Sequence, residues 1–179
     1  IKFKKTRLKM DLKELIRDIP DFPIKGIIFK DITTLLKNPK GYSETLNQLY
    51  DISKDKGITK VIGIESRGFI FGGALSDKLG AGFVPIRKPG KLPAETVKES
   101  YQLEYGTDVI EIHKDAIESG DRVLLHDDLL ATGGTMEAAC KLVEKLGAEI
   151  VQISVLIDLT FLNGKEKLKG YEVKALMEY

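Results

Sequence analysis

Between Val123 and Thr135 the chain reads Val-Leu-Leu-His-Asp-Asp-Leu-Leu-Ala-Thr-Gly-Gly-Thr, passing from apolar residues through two adjacent carboxylates into a glycine-rich turn. Asp127 and Asp128 side by side repel each other, and they would repel a bound phosphate as well, so something must require them. A ribose diol, which needs hydrogen-bond acceptors, or a hydrated Mg²⁺, which needs oxygens, meets that requirement. Gly133 and Gly134 let backbone amides approach an anion closely, and the helix that follows presents unpaired N–H groups and a positive dipole end. Thr132 and Thr135 add hydroxyl donors. Ala131, Thr132, Gly133, Gly134 and Thr135 therefore form a candidate phosphate cradle. The P-loop pattern G-x-x-x-x-G-K-S/T is absent and no G-x-G-x-x-G opens a helix, which excludes a nucleoside-triphosphate P-loop and a dinucleotide fold. A solvated acid pair before a glycine turn is the competing reading. It leaves unexplained why strand, acids, loop and helix coincide in the required order.

Other candidate groups lie upstream. Arg67, Arg87, Lys88 and Lys91 all follow the ends of predicted parallel strands, where open α/β sheets bind ligands. Arginine's permanently charged fork suits pyrophosphate oxygens, although these four residues taken alone are equally consistent with a solvated basic surface. Lys91 stands between Gly90 and Pro93, on a loop suited to an arm that reaches a neighbouring subunit. From Lys98 to Tyr105 apolar and polar residues alternate, which puts Tyr101, Leu103 and Tyr105 on one face and Gln102 and Glu104 on the other. Glu104 thus faces either a closed site or solvent, and the pattern alone favours solvent.

The elements that must position these groups read as follows. Leu12, Leu15, Ile16 and Ile19 recur at helical spacing behind Asp11 and Glu14, which predicts an amphipathic helix up to Pro20. Residues 21–36 predict a long structured loop with a short strand, and residues 43–56 a helix. Strand 60–64, helix 68–79 and strand 82–86 make one βαβ unit; strand 122–126, helix 135–146 and strand 150–156 make another. The fold class expected is α/β, with an open, mostly parallel, twisted sheet flanked by helices. Residues 88–112 break the alternation and predict a basic loop with an inserted antiparallel flap, expected to be mobile. His126 falls on the strand face opposite Asp127 and is expected to be structural.

Composition bounds the rest. The 179 residues, 42% apolar and 31% charged, suffice for one core. Twenty-eight basic against 27 acidic groups give +1, too even for non-specific attachment to nucleic acid or to an anionic membrane. Cys140 is the only cysteine and His113 and His126 the only histidines, so disulfides within the chain and cysteine- or histidine-built metal sites are excluded. No apolar run approaches the ~18–20 residues of a spanning helix, and the first residues lack a signal-peptide core; the expectation is a cytoplasmic protein. Ile1–Lys9, with five basic residues, is expected to be an extension outside the fold, leaving 10–179 as one domain.

Asp127-Asp128-Leu129-Leu130-Ala131-Thr132-Gly133-Gly134-Thr135 resembles the phosphoribosyl-diphosphate motif of type I phosphoribosyltransferases, in the form carried by the adenine-specific members. Orotate and hypoxanthine-guanine relatives usually carry Glu-Asp at the acidic pair. Phe22-Pro23, Gly26 and Phe29-Lys30-Asp31-Ile32 resemble that family's base-binding segment, and Ser66-Arg67-Gly68 its pyrophosphate loop. Arg87-Lys88-Pro89-Gly90-Lys91-Leu92-Pro93 resembles the basic loop, and Tyr101-Gln102-Leu103-Glu104-Tyr105-Gly106 the catalytic flap. The likeness extends over nearly all of 10–179. It departs from the family at Lys25, commonly proline, at Lys30, often arginine, and at His126, usually apolar.

The resemblance implies transfer of a phosphoribosyl group from phosphoribosyl diphosphate to N9 of adenine, giving AMP and pyrophosphate, with Mg²⁺ and in a homodimer. It implies catalytic roles for Glu104, Asp127, Asp128 and Arg67, and phosphoribosyl binding by Asp127, Asp128 and Ala131 to Thr135. Pyrophosphate falls to Ser66, Arg67, Arg87, Lys88 and Lys91, adenine to Ile28, Phe29 and Lys30. Mg²⁺ is expected to arrive with the substrate, with Asp127 and Asp128 as its protein ligands if it has any. Nucleic acid and membrane are not expected partners. Two alternatives stay open: a different purine, or a regulator that binds phosphoribosyl diphosphate without turnover. The latter needs a DNA-binding appendage, and Ile1–Lys9 is too short for a helix-turn-helix.

Overall fold

The computed structural model describes residues 10–102 and 106–179. The expectations for Ile1–Lys9 and for Glu104 therefore lie outside the described residues. The chain divides into two compact units, the first running to Asn47 and the second from Gln48 to Tyr179.

In the first unit the predicted N-terminal helix does not form. Asp11 caps only a 3-10 turn, Leu12–Leu15, its Oδ1 accepting the Lys13 N–H at 3.0 Å. From Ile16 the backbone is extended, and β1 (Arg17–Pro20) pairs antiparallel with β2 (Ile28–Asp31). A ten-residue segment is too short to hold a helix by itself, so tertiary pairing decides. Ion pairs between Arg17 and Asp31 (2.5 Å) and between Lys30 and Asp18 (2.8 Å) join the two strands. α1 (Thr33–Leu36) is one turn. α2 (Pro39–Ser53) begins four residues before the predicted start, because Asn38 Oδ1 accepts the N–H groups of Lys40 and Gly41 and Pro39 fits the first helical position.

The second unit carries β3 (Lys60–Ile64), α3 (Gly68–Leu79), β4 (Gly82–Ile86), β5 (Thr96–Gln102), β6 (Thr107–His113), β7 (Arg122–Leu130), α4 (Gly134–Lys145), β8 (Glu149–Asp158) and β9 (Val173–Glu178). Five strands form one parallel sheet in the order β4-β3-β7-β8-β9, as the α/β reading requires. Residues of one strand face, among them Ile62, Ile64, Leu125, Ile153 and Val155, pack with Met136, Ala139, Leu142 and Val143 of α4. The alternate face meets α3: a Cβ on Gly72 would touch the Phe83 ring and the His126 imidazole.

Two features of this sheet place the site. The strand order reverses between β3 and β7, which is where open α/β sheets hold ligands. β7 also outlasts β3: their pairing stops at Gly63↔His126, whereas β7 continues along β8 to Leu130↔Asp158. Asp127 and the residues after it thus border an open crevice. The inserted segment is an antiparallel hairpin of β5 and β6, and its base is anchored: Ile110 and Ile112 are core residues, Val97 and Tyr101 pack against them, and Arg87 bridges to Glu111.

Candidate active site

A cavity of about 250 Å³ opens at the crevice, lined by Glu65, Arg67, Lys88 and Tyr101 and by the run from Asp127 to Thr135. Gly68 lets α3 approach the end of β7, since a Cβ there would stand 2.9 Å from His126 O and 3.1 Å from Asp127 Oδ1. The approach brings Arg67, just before α3, against the acids: its Nε lies 2.9 Å from Asp128 Oδ2. Asp128 is buried, and burial raises its pKa, with the Arg67 charge opposing the rise. Asp127 is pushed well above the usual carboxylate range, first by burial and then by the charge of Asp128. Both shifts come first from burial, which disfavours charge, so a cation or hydroxyl donors brought to the crevice would favour the ionised pair.

The glycine loop expected to cradle phosphate runs directly into α4. Gly133 takes φ of +81° ahead of α4, in the left-handed region that favours glycine. A Cβ on it would collide with Gly164 O, from the turn after β8. Helix-type bonding at this end includes Glu137 N–H on Gly133 O; the N–H groups of a helix's first turn have no partner within the helix and can serve a ligand.

The basic groups divide. Lys88 lines the cavity, while Ser66, Arg87 and Lys91 do not. Arg87 donates from Nε to Glu65 Oε2 at 2.6 Å and stacks over the Phe69 ring, and Glu65 Oε1 accepts the Lys88 N–H at 2.8 Å. Burial favours neutral Glu65, yet these hydrogen bonds outweigh it and hold the carboxyl below its ordinary pKa. Lys91 is exposed on its loop. Lys88 Nζ lies 3.0 Å from Asp108 Oδ2, the oxygen that also accepts the Tyr101 hydroxyl at 3.1 Å.

Glu65, Tyr101 and Asp108 are the residues that sequence reasoning passed over. Tyr101 had a signal, because strand alternation puts it on the apolar face of the flap, opposite Gln102 and Glu104. Glu65 and Asp108 had none beyond standing beside Ser66-Arg67 and in the flap turn. His126 is structural, as its strand face implied: it is fully buried, with Nδ1 2.9 Å from Ser154 Oγ. In the first unit, the candidate base-binding residues lie on β2. Ile28 is exposed, Phe29 packs edge-on against Phe22 at 5.2 Å, and the Lys30 ammonium is held by Asp18.

Comparisons with known proteins agree with this geometry. Residues 30–174 match the family described as Phosphoribosyl transferase domain. An adenine phosphoribosyltransferase of Phocaeicola vulgatus is 63% identical over 158 residues, covering 88% of this chain and 91% of that protein. The crystal structure of adenine phosphoribosyltransferase from Thermoanaerobacter pseudethanolicus, 52% identical, matches with a TM-score of 0.92 over 94% of this chain and 98% of that one. The Saccharomyces cerevisiae enzyme, crystallised with an imino-altritol bisphosphate and adenine, matches at 41% identity with a TM-score of 0.87, covering 92% of this chain and 96% of that one. With the parallel sheet, the crevice and the loop after β7 all accounted for, the chain belongs to the phosphoribosyl transferase family, in its adenine phosphoribosyltransferase branch.

Proposed function

We propose that this protein transfers the 5-phosphoribosyl group from phosphoribosyl diphosphate to N9 of adenine, giving AMP and pyrophosphate. The observation that carries the reading is the acid pair on the part of β7 that outruns β3, followed directly by the glycine loop and the N-terminus of α4, all in one cavity. The adenine and bisphosphate bound by the yeast relative have the chemistry of such a pair of substrates.

Each residue has a task in this mechanism. Ala131 to Thr135 hold the 5′-phosphate by backbone N–H and hydroxyl groups. Asp127 and Asp128 accept from the ribose hydroxyls, which fixes C1 for attack from the face opposite the leaving pyrophosphate. Arg67 and Lys88, with Ser66, Arg87 and Lys91 beside them, offset charge on the departing pyrophosphate. The flap excludes water, which would otherwise capture the oxocarbenium-like centre. Glu104 assists the proton at the base, and Ile28, Phe29 and Lys30 receive adenine through backbone groups and an apolar wall. Among the described residues no cluster of three or more acids, histidines or cysteines could cage a metal, whereas two crowded carboxylates suit an ion that keeps its waters and arrives with phosphates. Asp127 and Asp128 would hold that Mg²⁺, which supplies charge neutralisation on the diphosphate. A homodimer located in the cytoplasm completes the proposal; among the described residues no helix is long and apolar enough to cross a membrane.

Adenine presents an N1 acceptor and an N6 donor, and a 6-oxopurine reverses that pattern. Leaving buried polar groups unpaired rejects an analogue strongly, so hypoxanthine, guanine and xanthine should react at least ~10³-fold less efficiently than adenine. The test is a radiolabelled-base assay with phosphoribosyl diphosphate and Mg²⁺. Comparable kcat/KM for hypoxanthine would replace adenine with another purine, and tight binding without AMP formation would leave a sensor.

A further inference from the structure

Glu111 is a buried acid with no task in the mechanism above. It stands on β6 between Ile110 and Ile112, both core residues, so strand alternation turns its side chain to the other face of the hairpin, away from that core. A glutamate on such a face is ordinarily solvated, yet Glu111 is only 2% exposed. Both of its carboxylate oxygens are occupied. Oε2 accepts the Thr96 hydroxyl at 3.2 Å and faces Lys98 Nζ at 3.3 Å, Lys98 being its register partner on β5. Oε1 reaches outside the hairpin and accepts the Gly90 N–H, from the basic loop, at 3.0 Å.

The backbone of Glu111 grips the start of the same loop. Arg87 N–H donates to Glu111 O at 2.9 Å, and Glu111 N–H to Arg87 O at 2.7 Å. Glu65 holds the Arg87 side chain and the Lys88 N–H, so the Gly90 N–H is what fastens the far end, from which Lys91 follows. Lys91 N–H in turn donates to Lys88 O at 3.3 Å, closing the turn. Gly90 takes φ of +78°, in the left-handed region that favours glycine. Burial favours the neutral acid, yet the Lys98 ammonium, the Gly90 N–H and the Thr96 hydroxyl hold the Glu111 carboxyl below its ordinary pKa, so the acceptor is ionised. A loop fastened before its ligand arrives loses less conformational freedom on binding, which favours affinity.

We propose that Glu111 is a positioning residue for the pyrophosphate end of the substrate: through the Gly90 N–H and the Arg87 backbone it fastens the basic loop to the base of the flap hairpin, so that Lys88 and Lys91 are set before the substrate arrives. The proposal rests on the phosphoribosyl-transfer reading above and names a residue that reading does not use. It requires that Glu111 act on the diphosphate and leave the 5′-phosphate, the ribose and the base alone. AMP, which carries no diphosphate, separates the two.

Glu111→Met keeps the bulk of the side chain and removes the acceptor, leaving the exposed Gly90 to water. In the full chain, amide hydrogen exchange over residues 88–93 should become faster. KM for phosphoribosyl diphosphate should rise about 10-fold or more, the worth of one hydrogen bond to a charged group. AMP affinity by calorimetry and KM for adenine should stay close to wild type. Glu111→Gln, whose amide oxygen can still accept from Gly90, should restore most of the wild-type KM, and Lys98→Met, which removes only the other partner, should leave it unchanged. Gly90→Ala strains the turn from the loop side without touching the buried acid, so it should raise KM for phosphoribosyl diphosphate in the same direction even if Glu111→Met fails to fold. An unchanged KM for phosphoribosyl diphosphate while the loop exchanges faster would overturn the proposal. So would equal losses for phosphoribosyl diphosphate and AMP, which mark general structural damage. Failure of the underlying functional reading is separable, since wild-type protein would then neither bind AMP nor form it.

Discussion

His126 stands directly before the acid pair yet belongs to the other side of the sheet. Burial is the main reason its pKa is lowered from 6.5 to about 4, a hydrogen bond to the Ser154 backbone opposing the shift. Between those values the unfolded chain binds a proton that the folded chain does not, so the stability due to neutral His126 is complete above pH 6.5 and is lost as pH falls toward 4. The loss should reach roughly 3 kcal/mol. Asp127 titrates with the opposite sign, its raised pKa making the folded state take up a proton as pH falls, so total stability alone does not isolate the histidine. Urea unfolding of wild type and His126→Gln from pH 7.5 to 4.5 does, because the difference between the two curves removes the shared groups. That difference should shrink as pH falls; a constant difference would mean an ordinary histidine. Its strand face was legible in the sequence from period-two alternation, but its partner, 28 residues away on β8, was not.

At the scale of elements, the glycine loop before α4 and the turn after β8 are interlocked through two glycines. A Cβ on Gly133 would collide with Gly164 O, and one on Gly164 would collide with Ala131 O. The sequence presents Gly133 as a residue that admits phosphate. The structure adds that it admits its own backbone first. Gly133→Ala combines a left-handed φ with a steric clash, so the ligand-free protein should lose roughly 2–5 kcal/mol in thermal or urea unfolding. Gly73 is the contrast: inside α3, with open space around its Cβ position and no positive φ, it should gain about 0.5–1 kcal/mol on replacement by alanine. Undiminished stability of Gly133→Ala would show that the loop yields, and that the ligand alone requires the glycine. The two strand-helix units were readable because apolar runs of β-branched residues and helical periodicity are local signals. The N-terminal segment departs from its local pattern because its four apolar positions fit a helix, while pairing with β2, eight to fourteen residues on, fixes Arg17–Pro20 as a strand.

Across the whole molecule, the proposed homodimer asks which basic groups serve which subunit. Arg87 is held within its own chain by Glu65 and Phe69, which leaves Lys91, exposed beyond it, as the group able to reach a neighbour. Mixed dimers of Asp128→Ala and Lys91→Ala subunits, each inactive alone, should then recover about half the wild-type rate, since one of two sites is whole. No recovery in verified mixed dimers would place Lys91 in its own subunit's chemistry or in none. The sequence by itself determined the acid pair, the glycine loop and the helix that follows them, because strand, turn and helix follow one another along a single stretch of chain whose local propensities agree. Only the tertiary structure decided that β7 runs past β3 to leave that stretch beside an open crevice. It also decided that Glu65, Lys88, Tyr101 and Asp108 converge there, because such contacts join residues tens of positions apart and depend on which strands the sheet sets side by side.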